Sequence, residues 1–519
     1  MRSAALVILG FVTSGSALAD LQNVQVGGVL RIRGTYYNAP VMSDRANTLS
    51  PGFRYPATIG HLPVTSIFSW DHNRSHGWQF VEQRTRLNVK ADFTDNVTAF
   101  VELENFGYWG EGFRSNYVTG VDNRSNGTDN ATLYQSYIEV QDLFGEPLRL
   151  RVGRQEFVLG SGFLIGNNDG KSLFTGLSFD GVNLVYTGDK LTVGAFAAKL
   201  AEAGPLEEDG DMDLYTLYAT YTGIENTTLE GYWIWVRDAR ALEDTSTGWL
   251  ASRIEHALGV DDYDVTNLHT VGLRAAGTLG KFDYNGEVAY QFGSAGQLGK
   301  AWSLAGSPVS LSPYGDDKAT WDNWGGMVEA GYTLDTKYTP RLFVGGCYFG
   351  GADNSKLDFL EWLDAAVNPF YKPHVDSSFN RLFSNYEYSN AFDSTDLTNC
   401  WFGRAGASAN VTDKIKVLLY LQYMEALEAF NAPVLGNRWI ISPFSFWTHP
   451  NPRDLGWETF LDVTYAYSED LSFELAWGHL WTGEGIAKGN FVVAEGLGFS
   501  GGTAKDSADC IYAESKITF

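Results

Sequence analysis

The sequence predicts an all-β fold: a single transmembrane antiparallel β-barrel of about 18 strands, with short periplasmic turns and long extracellular loops. Three observations predict it. Apolar and polar residues alternate with period two along most of the chain. The connections between these stretches are alternately short and long. The N-terminus reads as an export leader.

The alternation is clearest in VEQRTRLNVKADFTDNVTAFVELENF, residues 81–106. Glu82, Arg84, Arg86, Asn88, Lys90 and Asp92 share one parity, and Leu87, Val89 and Ala91 the other. After Thr94-Asp95-Asn96, Val97, Ala99, Val101 and Leu103 are apolar, whereas Thr98, Glu102 and Glu104 are polar. Period two marks strands with unlike faces, and Thr-Asp-Asn between two of them reads as a hairpin turn. That turn sets Arg86 opposite Glu104 and Asn88 opposite Glu102. The hairpin alone fits two solvents: a soluble sheet with its apolar face inward, or a membrane barrel with apolar residues to lipid and polar ones to a wet lumen.

The connections decide between them. Candidate strands run over 24–37, 78–93, 97–109, 131–143, 147–157, 177–187, 190–199, 212–222 and 227–238. They continue over 265–279, 281–294, 322–334, 338–350, 398–411, 413–427, 454–468, 470–481 and 508–519. Turns such as Gly188-Asp189 and Thr412-Asp413 alternate with long loops such as 38–77, 239–264 and 351–397. A sheet trimmed at one end and elaborated at the other is the pattern of outer-membrane barrels. Glu82, Arg84, Arg86, Asn88 and Lys90 then face the lumen, and Leu87, Val89 and Ala91 face hydrocarbon.

The termini and composition agree. Residues 1–19 carry Arg2, an apolar stretch from Ala4 to Val12 and Ala17-Leu18-Ala19 before Asp20, a signal peptide with an A-x-A cleavage site. Residues 20–519 form the barrel domain. The chain ends DCIYAESKITF, an amphipathic strand closing on Phe519. The chain has 27 Tyr and 16 Trp, a richness that suits interfacial girdles. No apolar run after the leader is long enough for a membrane helix. Cys347, Cys400 and Cys510 are odd in number and widely spaced, so they read as inert side chains rather than a disulfide framework. A net charge of -25 argues against a nucleic-acid partner.

Parity selects the candidate pore-lining residues: Arg31, Arg33, Arg84, Arg86, Lys90, Glu102, Glu104, Arg149, Arg151, Arg274, Arg404 and Lys416. Further inward acids are Glu82, Glu139, Asp462, Glu474 and Glu514. Charges lining a pore set its selectivity, and the planar fork of Arg suits carboxylates. The competing reading is that these charges neutralise one another and keep the lumen wet. No G-x-S-x-G, H-E-x-x-H or P-loop motif occurs, so no enzyme and no cofactor is expected. His72 and His76 fall in a loop-like DHNRSHG, and the acidic run 206–213 lacks the EF-hand ligand pattern, so no metal site is assigned. In loop 351–397, Leu357, Leu360 and Leu363 before Pro369 suggest a short amphipathic helix, either folded inward as a constriction or capping the rim.

The stretch QRTRLNVKADFTDNVTAFVELE, followed by LYQSYIEV, LRLRVGRQEF and GLSFDGVNL, resembles the bacterial alginate-export family. The resemblance is clearest over residues 78–200. It implies a bacterial outer-membrane barrel conducting an acidic polysaccharide past a basic lumen, with Arg84, Arg86, Arg149, Arg151 and, less directly, Arg154 in that role. Arg154 breaks their parity, which places it beyond a bulge or near the rim. The expected function is thus a passive channel for anionic polysaccharide or oligosaccharide, with a nutrient porin for small solutes as the alternative. An outer-membrane enzyme or adhesive barrel is further off. The expected partners are outer-membrane lipid, the transported solute and a periplasmic secretion scaffold.

Overall fold

The computed structural model describes residues 22–38, 78–94, 96–110, 131–170, 174–202, 211–239, 265–294, 319–351, 375–387, 389–391, 398–428, 452–484 and 507–519, with isolated pieces at 57–59, 62–64, 115–116, 121–122, 257, 489–492 and 499–501. The leader, His72, His76, residues 206–210 and the amphipathic stretch 356–373 lie outside the described residues.

Eighteen antiparallel strands close into one barrel. They are β1 (Asn23–Tyr37), β2 (Trp78–Thr94), β3 (Val97–Tyr108), β4 (Thr132–Val140), β5 (Leu148–Gln155) and β6 (Phe179–Thr187). Next come β7 (Leu191–Ala201), β8 (Met212–Ile224), β9 (Thr227–Asp238), β10 (Thr266–Leu279), β11 (Phe282–Ser294) and β12 (Ala319–Thr333). The last are β13 (Arg341–Phe349), β14 (Cys400–Thr412), β15 (Ile415–Ala426), β16 (Asp454–Ala466), β17 (Leu471–Thr482) and β18 (Ser507–Thr518). Each pairs with its sequence neighbour, and β1 pairs with both β2 and β18. At the seam, the Gly28 N–H donates to the Phe519 carbonyl at 2.8 Å and the Phe519 N–H to the Gly28 carbonyl at 3.0 Å. A Cβ on Gly28 would lie 2.6 Å from the Arg86 carbonyl oxygen and 2.7 Å from the Phe519 ring, so this close approach needs glycine.

Alternation sorts the faces as the membrane solvent requires. Val26, Leu87, Val101, Ile138 and Val328 point outward and are exposed. In the extracellular halves of β8–β12, outward rings form a belt: Tyr215 on Trp235 at 5.0 Å, His269 on Phe292 at 5.2 Å, and Tyr290 on Trp324 at 4.6 Å. Near the periplasmic end, Phe282 meets Tyr332 at 4.6 Å. Amphipathic rings at both interfaces anchor a barrel in its bilayer.

The interior departs from the wet, polar lumen that the alternation implied. Phe196, Leu214, Ile234, Leu268, Phe349 and Leu480 point inward and are buried. Their partners are two extracellular connections that fold into the barrel. Residues 156–170 and 174–178, between β5 and β6, bring Phe157 onto Phe196 at 4.1 Å and Phe163 beside Phe349 at 5.9 Å. Residues 378–387 and 389–391, ahead of β14, bring Phe383 edge-on to Phe179 at 5.2 Å. The two connections also bond to each other. The Gly166 N–H donates to the Phe383 carbonyl, the Phe383 N–H to the Leu164 carbonyl and the Asn385 N–H to the Gly162 carbonyl, each at 2.8 Å. An inward apolar side chain is stable here because it meets protein rather than water. The long connection before β14 therefore constricts the lumen through 378–387 and 389–391, a part of it other than the expected helix.

Candidate charged channel wall

Period two aims Arg31 and Arg33 of β1, and Arg84 and Arg86 of β2, into the barrel. The register sets Arg31 directly opposite Arg84, and Arg33 opposite Glu82. Like charges facing each other across a ladder repel, so this wall requires counter-charges, and three other elements supply them. From β18, Glu514 accepts from Arg31 Nε at 2.6 Å and Arg33 Nε at 2.7 Å. From β3, Glu104 accepts from Arg86 Nε at 2.6 Å, in the expected register. From the inward β5–β6 connection, Asp169 accepts from Arg31 Nη1 at 3.0 Å and Arg84 Nη2 at 2.9 Å, with Arg86 Nη1 at 3.7 Å.

The same connection covers the cluster. The Phe174 ring lies 4.5 Å from the Arg31 guanidinium and 5.2 Å from that of Arg33, and its carbonyl accepts from Arg84 Nη1 at 2.8 Å. Arg86 stacks over Tyr134 at 3.7 Å, and the Tyr134 hydroxyl donates to Glu156 at 2.5 Å. Gly176 makes this packing feasible. Its φ is +80°, and a Cβ there would lie 2.0 Å from Arg86 Nη2. The result is a wall of four guanidiniums in which Arg84 is only 1% exposed. Burial alone would raise the Asp169 carboxyl. The Arg84 hydrogen bond and the charges of Arg84, Arg31 and Arg86 outweigh it and hold Asp169 below the ordinary carboxylate range.

The other candidates spread around the barrel. Glu102 accepts from Gln135 at 2.8 Å, beside an ion pair of Arg151 with Glu139 at 2.6 Å. Arg151 also stacks over Tyr137 at 4.2 Å, while Arg149 reaches Glu139 only at 3.9 Å and stays 40% exposed. Lys90 pairs with Asp92 at 3.2 Å near the periplasmic end, where Lys416 is exposed. Arg274 is paired with Glu230 and bonds Asn285 at 2.8 Å. Arg404 meets Glu329 at 3.2 Å. Arg154 lies on the outward face, gripping Asp180 through two 2.7 Å bonds. Glu474 accepts from the Tyr512 hydroxyl at 2.7 Å, and Asp462 is buried on the inward face of β16.

Sequence parity brings Arg31, Arg33, Arg84, Arg86 and Glu104 together, but it misses Glu156, Asp169 and Phe174. These sit in an irregular connection with no period to read. The NNDG run at 167–170 carries only a turn signal. Among the described residues, no group of three or more His, Cys, Asp or Glu is arranged to hold a metal ion. Cys347, Cys400 and Cys510 are buried and unbridged.

A family model described as alginate export matches residues 71–498. The chain belongs to the alginate export family. No curated protein matches it. Solved structures similar to it include three barrels of Pseudomonas aeruginosa. OpdL is 10% identical, with 95% of this chain and 98% of that chain covered and a TM-score of 0.48. OccK8 (OprE) is 11% identical over 95% and 98%, with a TM-score of 0.47. OccD3 (OpdP) is 10% identical over 96% and 92%, with a TM-score of 0.46. Family membership and the closed barrel make this protein a channel of the bacterial outer membrane, embedded in lipid and passing solutes. Both are those of a non-enzymatic channel.

Proposed function

We propose that this alginate-export-family channel passively conducts anionic, uronate-type oligosaccharides or polysaccharide. The observation that carries the reading is the inward arginine wall of β1 and β2, continued periplasmically by Arg151 and Arg149 and interleaved with Phe174, Tyr134 and Tyr137. Guanidinium forks match carboxylates, and aromatic faces offer apolar area to the flat faces of sugar rings. Solute descends its gradient past fixed charges that tune its passage. Most of the wall is paired with acids, so binding is weak enough for release.

The two inward connections favour a second reading on size. A lumen filled from the extracellular side by Phe163, Phe379 and Phe383 suits small acidic solutes better than a long polymer. Planar-bilayer recording across a salt gradient tests both. Anion preference with block by uronate oligomers, and none by neutral sugars, supports the proposal. Block confined to mono- and disaccharides supports the second reading, and cation preference without uronate block overturns both.

A further inference from the structure

On the outer face of the barrel, one register row carries charged or polar side chains across the extracellular ends of β5 to β10. Arg154 lies opposite Asp180, Asp180 opposite Lys199, Lys199 opposite Asp213, Asp213 opposite Arg237 and Arg237 opposite Asn267. Lys199 Nζ reaches Asp213 at 2.8 Å, whereas Arg237 Nη1 reaches it only at 3.9 Å. One row toward the periplasm, Tyr215, Trp235, His269 and Phe292 stand opposite one another and stack at 5.0, 5.6 and 5.2 Å. The Trp235 indole N–H donates to the Asn267 side-chain oxygen at 3.1 Å, which ties the rings to the row above. Below the rings, Leu217, Val271, Leu273 and Val288 are exposed aliphatic residues. From the extracellular end downward, this face is therefore charged, then aromatic, then aliphatic. The far side of the barrel differs: there outward rings bond acids, Trp401 Nε1 to Glu425 at 3.3 Å and Trp477 Nε1 to Asp509 at 3.0 Å. Among the described strand residues, the outward Lys and Arg of the extracellular half are Arg154, Lys199 and Arg237, all on β5–β9. Anchoring a barrel requires rings at the interface, but not cations gathered on one side of it.

We propose that the outer face of β6–β10 binds one phosphorylated glycolipid of the outer leaflet. Lys199 and Arg237 take its phosphoryl groups, since ammonium and guanidinium groups form charge-assisted bonds to phosphate oxygens. Asp180 and Asp211 are held by Arg154 and Lys199 at 2.7 and 2.5 Å. Each carboxylate has lone pairs beyond its ion pair, and these accept from sugar hydroxyls. Tyr215 and Trp235 carry the flat face of a sugar ring, and the acyl chains run down Leu217 and Val271. The three tiers of the wall thus meet the three parts of such a lipid in order of depth. The interleaved acids leave the charged row close to neutral, so a phosphate without hydroxyls gains little there. A headgroup that bears both uses both signs. The site is independent of the solute that the lumen conducts.

The test uses the folded full-length barrel in detergent, with diphosphoryl lipid A as the probe and cardiolipin, a diphosphate lipid without sugar, as the control. Native mass spectrometry should show one lipid A held at least tenfold more tightly than cardiolipin. Lipid A, but not cardiolipin, should slow acetylation of Lys199 at least fivefold. The double variant Lys199→Gln/Arg237→Gln should weaken lipid A at least tenfold. Trp235→Leu, still apolar toward lipid, should weaken lipid A at least threefold and leave cardiolipin unchanged. Glu425→Gln, on the far side, should change neither. Equal affinity for the two lipids overturns the glycolipid site. So does lipid A binding that leaves Lys199 acetylation or the double variant's affinity unchanged, because the lipid then sits elsewhere. A dimer mass with Lys199 protected in the absence of lipid overturns it in favour of a second copy of the chain. The wild-type acetylation measurement decides even where a variant fails to fold.

Discussion

Replacing Glu514 with alanine tests whether the arginine wall is packed in protein or bathed in water. The Glu514 carboxylate meets Arg31 Nε at 2.6 Å and Arg33 Nη2 at 2.6 Å, and the three side chains are 4–7% exposed. At an effective dielectric of about 20, each contact contributes roughly 4 kcal/mol of attraction, most of it offset by desolvation. Removing the shared carboxylate leaves that desolvation uncompensated, so Glu514→Ala should destabilise the barrel by about 3–5 kcal/mol. The assay is reversible urea unfolding from lipid vesicles, read by tryptophan fluorescence with linear extrapolation. A double-mutant cycle with Arg33→Met isolates the pair and should return a coupling of roughly 0.5–3 kcal/mol. A loss under about 1 kcal/mol with no coupling is the behaviour of a solvated ion pair. That result would refute the packed wall and return the arginines to open water.

Two further outcomes follow from the geometry. Leu87 faces lipid near mid-strand and Asn88 faces the lumen opposite Glu102, so Leu87→Arg should cost about 2–4 kcal/mol in the same unfolding assay, and Asn88→Arg should stay within about 1 kcal/mol. The Asp169 carboxyl is held below its ordinary range, so its stabilisation is fully present above about pH 4, the unfolded value, and is lost only as pH falls through the lower folded value; exchange protection at Gly176, corrected for intrinsic rate, should be flat from about pH 7 to 5 and decline below about pH 4, and Asp169→Asn should abolish that decline.

The barrel was legible because its two faces meet different solvents at every second residue. The expected strand 227–238 coincides with Thr227–Asp238, and 177–187 differs from Phe179–Thr187 only at its start. The hairpin register was legible too, since a Thr-Asp-Asn turn leaves few ways to pair the flanking residues: Arg86 does face Glu104. Parity placed Arg31, Arg33, Arg84 and Arg86 on one face for the same reason. It also set Arg154 apart, and that side chain, to which the resemblance extended the lumen role, lies instead with Asp180 on the outer face.

Parity states which side of a sheet a residue occupies, but not what occupies the space beyond. On β1 and β2 the inward residues are charged, and on β7, β9 and β10 Phe196, Ile234 and Leu268 are apolar. A sheet apolar on both faces is the pattern of a strand buried between lipid and protein, so those strands already required something apolar inside the barrel. The residues that meet the requirement are Phe157, Phe163, Leu164 and Ile165, in a connection whose GSGFLIGNNDG run reads locally as a loop. A glycine-rich extracellular connection containing three consecutive apolar or aromatic positions within reach of such strands is therefore a signal for an inward fold. Asp169 follows from the same logic. Once Phe163 to Ile165 are drawn into the barrel, the next turn of chain must pass the β1–β2 wall, where opposed Arg31 and Arg84 leave an acid as the stable choice.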